Sequence, residues 1–276
     1  MNRVKCEICP HECSLKESQH GFCRARSNKK GVICDDNYGL LTSLALDPIE
    51  KKPLRRFYPG SKILSVGSFG CNFRCPFCQN FEISMSGIEY ANTVYMPPED
   101  LVSKAVSLKS RGNIGIAYTF NEPLIGYEYI FDTALLVRAK SLKNVVVTNG
   151  FINEKPLRAL LPYIDAFNID LKSLSERFYQ KIGGNLETVK QTIEISVKAC
   201  HVEITLLVIP GLNDSPDEVR NISGWLAGID KGIPLHVTRF FPRYKMSDWA
   251  ATPPETIYEL ARIARESLLY VYEGNC

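Results

Sequence analysis

The stretch "ILSVGSFGCNFRCPFCQN", residues 63–80, decides the fold. It opens as a near-continuous apolar run, ILSVGS at 63–68, and then breaks into a loop carrying Cys71, Cys75 and Cys78. Such strands belong to parallel sheets, where helices cover both faces and the working residues follow the C-terminal strand ends. Further runs of this kind are IGIAY (114–118), VVVT (145–148), AFNID (166–170), EITLLVI (203–209) and LHVTRF (235–240). Helical patterns separate them. Leu186, Val189, Ile193, Val197 and Cys200 form one apolar stripe at helical spacing. Ser215-Pro216-Asp217-Glu218 reads as a capping box with proline at the first helical position, and Thr252-Pro253-Pro254-Glu255 as a second.

Six strand–helix units are too few for a closed eight-fold barrel. They make an open partial barrel or a doubly wound sheet. The expected fold is therefore α/β: a partial (β/α)6 TIM-type barrel over residues 61–276, behind a cysteine-rich N-terminal extension over 1–60 that packs on it.

Bulk properties narrow the function classes. The chain has 276 residues, 45% of them hydrophobic, so a sizeable core can form. A net charge of +3 and no long basic run give no indication of nucleic acid as partner. No run of about 18 apolar residues indicates a membrane span. "MNRVKCEICPHEC" has no apolar signal core, so a cytoplasmic location is expected. Ten cysteines, clustered at CxxC-type spacings, then point to metal rather than to disulfides.

Cys71, Cys75 and Cys78 provide three thiolates on one loop, which Gly67 and Gly70 allow to turn tightly and Pro76 stiffens. Three thiolates on a four-iron cube leave one iron open to a small molecule, by the logic that separates catalytic from closed metal sites. A zinc site with a borrowed fourth ligand, or plain buried thiols, is the alternative. Cys6, Cys9, Cys13 and Cys23 supply four further soft ligands, enough for a closed zinc site or a second iron–sulfur cluster, with His11, His20 or Cys34 able to replace one.

The polar candidates all fall at C-terminal strand ends. Asn121 and Glu122 follow the second strand, Thr148 and Asn149 close the third, and Asp170 and Lys172 end the fourth. Pro210 and Gly211 follow the fifth, and Arg239, Arg243, Tyr244 and Lys245 exit the sixth. Glu122 suits an ammonium ligand or a helix N-terminus. Thr148 and Asn149 suit ribose hydroxyls, a carboxylate or simple turn chemistry. Asp170 and Lys172 lie two apart on one strand side and form either a ligand-orienting pair or a structural ion pair. The last group is a substrate contact or an exposed basic rim. Cys200 reads as a core thiol, His236 as a satisfied interior imidazole, and His201 as structural. Trp225 and Trp249 need no ligand to explain them.

"CNFRCPFC" resembles the cluster motif of the radical S-adenosylmethionine (SAM) superfamily. The resemblance implies a [4Fe-4S] cluster whose fourth iron is chelated by SAM, and reductive cleavage to a 5′-deoxyadenosyl radical that abstracts hydrogen, as anaerobic, oxidoreductase-like chemistry. It implies that Phe77 packs against the adenine, and that TFNEP (119–123) stands where the family has a Gly-Gly-Glu segment for the SAM amine, with Asn121 in place of a glycine. TNGF, NIDLK and VIPGLND are similar to segments of pyruvate formate-lyase activating enzyme. That activase carries an aspartate where this chain has Val147, and its Pro-Tyr-His is missing from HVTRFFPRYKM, where Tyr244 follows Pro242-Arg243. Both departures count against a glycyl-radical-enzyme activase reaction. CEICPHECSLKESQHGFCRAR, TSLALDPIEKKPL, GIAYTFNEPLIGYEYI and HVTRFFPRYKM resemble AmmeMemoRadiSam system radical SAM enzymes over nearly the whole chain. That resemblance implies association with Memo-like and AMMECR-type proteins, and a one-electron reductant such as flavodoxin or ferredoxin. Relatives often carry a further cysteine-bearing tail. The chain ends at Cys276, so no tail metal site is expected. A non-catalytic iron–sulfur or zinc carrier is the competitor from another class.

Overall fold

The computed structural model describes residues 3–276. Eight strands form the main sheet: β1 (Ser43–Pro48), β2 (Lys62–Gly67), β3 (Asn113–Tyr118), β4 (Lys143–Thr148), β5 (Ala166–Asp170), β6 (His201–Val208), β7 (Leu235–Arg239) and β8 (Val271–Gly274). They lie side by side in chain order, β1 to β8, and all pairings are parallel except β1 with β2. Helices Pro98–Ser107, Tyr127–Ala139, Glu154–Leu160, Leu186–Val197, Pro216–Ile229 and Pro254–Ala264 connect β2 through β8. The six expected strand–helix units are present, in a mostly parallel sheet.

Both edges go beyond the expectation. β8 is a seventh parallel strand, only four residues long, which its pattern does not announce. β1 lies inside the segment assigned to the N-terminal extension, whose first two residues are outside the described ones. It pairs antiparallel with β2 over Ser43–Pro48, so the sheet takes in residues before 61. The chain then turns into the barrel. Ile49, Leu54 and Phe57 pack with Ile63, Ala117, Val145 and Ala166, which come from the concave faces of β2 to β5. Residues 49–57 therefore plug the bottom of the lumen. The other strand face packs on the helices in the large core that includes Leu64, Ile116, Val146, Phe167, Ile204 and Val237.

The plug is held by one carboxylate. Glu203, fully buried on β6, accepts hydrogen bonds from the backbone N–H groups of Arg55 (2.9 Å) and Arg56 (2.7 Å). Its oxygens also meet His201 Nε2 at 2.9 Å and His236 Nε2 at 2.6 Å. Beside it, Asn168 donates to the Pro53 carbonyl and accepts from Thr205. His236 is thus the satisfied interior imidazole its setting indicated. An acid buried without partners would be prohibitively costly, and here four donors meet it.

The two capping boxes differ in outcome. Ser215 accepts from Glu218 N–H, but the Glu218 carboxylate bonds Ser173 Oγ and the Leu174 N–H instead of closing the box. Thr252 does not cap its helix at all. Its hydroxyl donates to the Val208 carbonyl and accepts from Phe240 N–H, tying the β7 exit to β6.

Burial acts to raise the Glu203 carboxyl, but the His201 and His236 bonds and the two amides outweigh it and hold the group at about 2. A depressed folded value gives stability that is present above the ordinary carboxylate range and lost as pH falls toward the folded value. Glu203→Gln should therefore unfold more readily in urea than wild type at neutral pH. The gap should narrow by roughly 3 kcal/mol as pH falls from about 4.5 to about 2. A gap independent of pH in that window would contradict the assignment.

Candidate functional site

Between Phe69 and Asn80 the chain has no regular structure, so its backbone polar groups need partners from elsewhere. Asn121 supplies several. Its amide donates toward the Phe69 (3.2 Å) and Gly70 (3.1 Å) carbonyls, while Oδ1 accepts from Ser68 N–H at 3.0 Å. His11 Nε2 meets the Asn72 carbonyl at 2.9 Å, Arg74 caps the Cys71 carbonyl at 2.8 Å, and Lys245 N–H bonds the Pro76 carbonyl at 3.0 Å. Cys71 N–H donates to the Cys23 carbonyl at 3.2 Å. Gly70 sits at φ +86°, and a Cβ there would lie 2.5 Å from that same carbonyl. Glycine is needed at 70 on both counts.

The loop brings Cys71, Cys75 and Cys78 to the wall of one cavity of about 440 Å³. The same cavity is lined by Phe77, Asn121, Glu122, Thr148, Asn149, Asp170 and Lys172. Parallel register explains the convergence, since Asp170 lies level with Thr205 on β6 and Thr148 with Ile169 on β5, at the C-terminal mouth. Burial pushes the Cys75 thiol up to about 12 with Lys172 opposing it, and raises Cys71 and Cys78 as well. Thiols in such a place ionise when a cationic centre binds them. Three buried soft donors on one irregular loop fit an iron–sulfur cube. Among the described residues no three His, Cys, Asp or Glu side chains surround a single ion. A cube, which takes each thiolate on a separate iron, does not require that arrangement.

Glu122 is buried and oriented by three donors. Oε1 accepts from Thr148 Oγ1 (2.7 Å) and Leu124 N–H (3.0 Å), and Oε2 from Asn149 N–H (2.8 Å). Desolvation raises its carboxyl to about 7 against these bonds, a state that a bound cation would relieve. Lys172 Nζ lies 2.7 Å from Asp170 Oδ2. Burial opposes the Lys172 charge, yet Asp170 and Cys75 raise it overall. Two buried side chains, Asn72 and Tyr179, stand behind the lining residues, and neither stands out in the sequence. Asn72 accepts from Asn149 Nδ2 at 2.8 Å and donates to the Phe151 carbonyl at 2.7 Å. Tyr179 accepts from Lys172 N–H at 3.0 Å. A lone asparagine between cysteines, and a helical tyrosine, carry no motif that would have marked them.

Some expected contacts lie elsewhere. Pro210 and Gly211 are not among the cavity's lining residues, and Leu207 of β6 faces it instead. Tyr244 is on the rim, outside the lining, stacked on Phe81 at 4.6 Å. Arg243 lies over the Phe81 ring and 3.9 Å from Glu82, and Arg239 donates to the Thr252 carbonyl. None of these side chains is among the residues lining the cavity. Asn121, Thr148 and Asn149 line the cavity, but their polar atoms are spent on the loop and on Glu122. Cys200 lies just past the end of its helix, half-buried, with its Sγ donating to the Ser196 carbonyl, so it extends the stripe only partly.

Cys6, Cys9, Cys13 and Cys23 belong to one small unit under the loop. Cys6 N–H bonds the Cys13 carbonyl at 3.0 Å, and Phe22 N–H points to Cys13 Sγ at 3.4 Å. Burial pushes Cys9 up to about 12 and Cys23 to about 11, with neighbouring cysteines adding to both. The proposed substitutes are engaged elsewhere: His11 on Asn72, His20 on Asp36 at 3.2 Å, and Cys34 near the Val32 carbonyl.

A parallel open barrel with a three-cysteine loop at its mouth is an architecture for cluster-dependent chemistry on a small molecule. The chain belongs to the radical SAM superfamily, whose family model matches residues 65–222. Membership implies a [4Fe-4S] cluster and SAM as cofactors, and its members are generally enzymes. The uncharacterized protein MJ0808 of Methanocaldococcus jannaschii is 42% identical over 99% of this chain and 82% of its own. In fold, the chain is similar to SuiB of Streptococcus suis bound to S-adenosylmethionine, with a TM-score of 0.60 at 14% identity over 78% of this chain and 52% of that one. It is also similar to a domain of pyruvate-formate lyase-activating enzyme from Bacteroides vulgatus, with a TM-score of 0.51 at 17% identity over 58% of this chain and 99% of the domain. No helix among the described residues is long and apolar enough to cross a membrane.

Gly70→Ala places a side chain in left-handed backbone and against the Cys23 carbonyl. It should cost about 1–3 kcal/mol in unfolding free energy and lower the iron retained after anaerobic reconstitution. Wild-type stability and iron content in this variant would refute the tight junction.

Proposed function

We propose that Cys71, Cys75 and Cys78 hold three irons of a [4Fe-4S] cluster, and that SAM binds the fourth. The observation that carries this reading is the single cavity shared by the three cysteines, Glu122 and the Asp170–Lys172 pair. When bound, the cluster supplies the electron that cleaves a carbon–sulfur bond of SAM, giving a 5′-deoxyadenosyl radical that abstracts hydrogen from the substrate.

The chain's own residues bind and orient. Glu122 accepts the methionyl ammonium. Its oxygens are pre-aimed by Thr148, Asn149 and the Leu124 amide, so little ordering remains to be done on binding. Lys172 faces the methionyl carboxylate, with Asp170 fixing its ammonium. Phe77, buried at the cavity wall beneath Lys172, offers its face to the adenine. Asn72, Asn121 and Asn149 act through the loop, as positioning residues. Walls built from Phe73, Phe77, Val147 and Leu207 keep water from a reactive carbon centre.

Val147 also lines the cavity, where the activase carries an aspartate for a cation. This disfavours a glycyl-radical-enzyme activase. Near end-to-end motif resemblance supports placing the chain among AmmeMemoRadiSam system enzymes, working in the cytoplasm with Memo-like and AMMECR-type partners and a flavodoxin- or ferredoxin-type reductant. The N-terminal cysteines would carry a second metal. Four such sulfurs suit a closed zinc site or a second iron–sulfur cluster.

Anaerobically reconstituted protein given SAM and dithionite should release 5′-deoxyadenosine and methionine, and Cys75→Ala should abolish both. Glu122→Gln should keep the cluster's visible absorption but weaken SAM binding about 10- to 100-fold, the value of one charge-assisted bond. A cluster-replete wild type that releases no deoxyadenosine would leave an electron carrier as the correct reading.

A further inference from the structure

The lumen plug does more than close the barrel. Its residues Lys51 and Lys52 line the same cavity as the cysteines, although they enter from the opposite end of β2, where Pro48 pairs with Lys62. Lys52 is buried, with Nζ 2.9 Å from Asp47 Oδ2 and 4.8 Å from the centre of the Phe120 ring. Lys51 Nζ stands 3.6 Å from Asp47 Oδ1, and its side chain is 67% exposed.

Charge at this end does not balance. Asp47 is the one carboxylate that meets both ammonium groups among the described residues. The nearby acid, Glu50, is turned away, accepting from Gly60 N–H at 2.7 Å. Glu203 below is saturated by two histidines and two amides. Farther along the cavity, Lys172 and Asp170 neutralise each other, and in the reading proposed above Glu122 takes the SAM ammonium. Two cations against one anion leave one positive charge at the plug. Desolvation and the neighbouring Lys51 push the Lys52 ammonium below its ordinary value, although Asp47 partly holds it up. The surplus ammonium, on Lys51 beside the buried Lys52–Asp47 pair, is a place where an added anion is favourable. The cavity, at about 440 Å³, lies in the range of small-molecule sites, about 300–1,000 Å³.

We infer that Lys51 and Lys52 form an oxyanion subsite at the lumen plug, so that the substrate presented to the radical site carries a carboxylate or phosphate group. This rests on the radical SAM reading of the same cavity. The subsite anchors the anionic end of the substrate against the plug and leaves the rest of the molecule directed toward the cysteine loop. Asp47 is then a positioning residue that fixes Lys52 and leaves Lys51 free to turn toward the ligand.

The test uses cluster-reconstituted protein loaded with SAM, titrated calorimetrically with inorganic phosphate, with succinate and with spermidine. Phosphate or succinate should bind saturably at one site, and spermidine should not. Phosphate alone identifies a phosphoryl group and succinate alone a carboxylate. Lys51→Gln, on an exposed side chain that the fold does not need, should weaken the anion about tenfold, and Lys51→Arg should restore it. Lys52→Met should abolish binding if it folds. Failure of both anions to bind, or equal affinity in wild type and Lys51→Gln, overturns the subsite. Deoxyadenosine release by the same wild-type preparation separates the two levels. If it is present without anion binding, only the subsite falls. If it is absent, the reading of the cavity falls and the subsite with it.

Discussion

A loop that must hold three thiolates apart cannot also satisfy its own backbone. Residues 69–80 form neither strand nor helix apart from tight turns, and a cube needs that irregular path. Every polar group the loop leaves open is a debt to be met by other segments. The N-terminal unit meets it through the Cys23 carbonyl and His11, the β3 exit through Asn121, and the β7 exit through Lys245. Three otherwise separate pieces of chain are therefore fixed relative to one another by the need to hold this loop. The cysteine-rich unit, whatever else it does, is part of the cluster loop's scaffold.

The interior of the barrel follows from the same economy of space. Strand faces toward the helices carry large apolar residues, while the concave face mixes a few of these with small or polar ones such as Ser65, Ala117, Asn168 and Thr205. A lumen lined this way is too wide to fill itself, so residues 49–57 enter it from below. Glu203 fixes the plug by its backbone, which leaves the plug's side chains free to form a wall. That division places apolar residues Ile49, Leu54 and Phe57 among their like, and turns Lys51 and Lys52 toward the cavity.

The six central strands were legible because each is a nearly unbroken apolar run with a helix after it. The three cysteines, Glu122, Thr148, Asn149, Asp170 and Lys172 were legible because parallel strands deliver every C-terminal end to one mouth. The plug was not. "IEKKPLRRF" mixes apolar and basic residues, which suits an extension packed on the outside of the barrel, and only long-range partners on β2 to β6 give it a place inside. β1 and β8 were missed for a related reason, since edge strands pair on one side and need no continuous apolar pattern. Asn121 shows the limit for single residues. Its position after a strand was apparent, but whether its amide faces a ligand or the neighbouring loop depends on atoms far away in sequence. The same holds for Thr252, whose place before two prolines signals a cap and whose hydroxyl instead joins two strands.

The central claim is that the loop at 71–78 binds a cube with one iron left for SAM. Mössbauer spectroscopy of protein reconstituted anaerobically with iron-57, before and after adding SAM, tests it most directly. One iron of the cube should change its parameters on SAM addition while the other three stay as they were. If no iron responds to SAM, or if zinc and not iron is retained by the three cysteines, the account is contradicted.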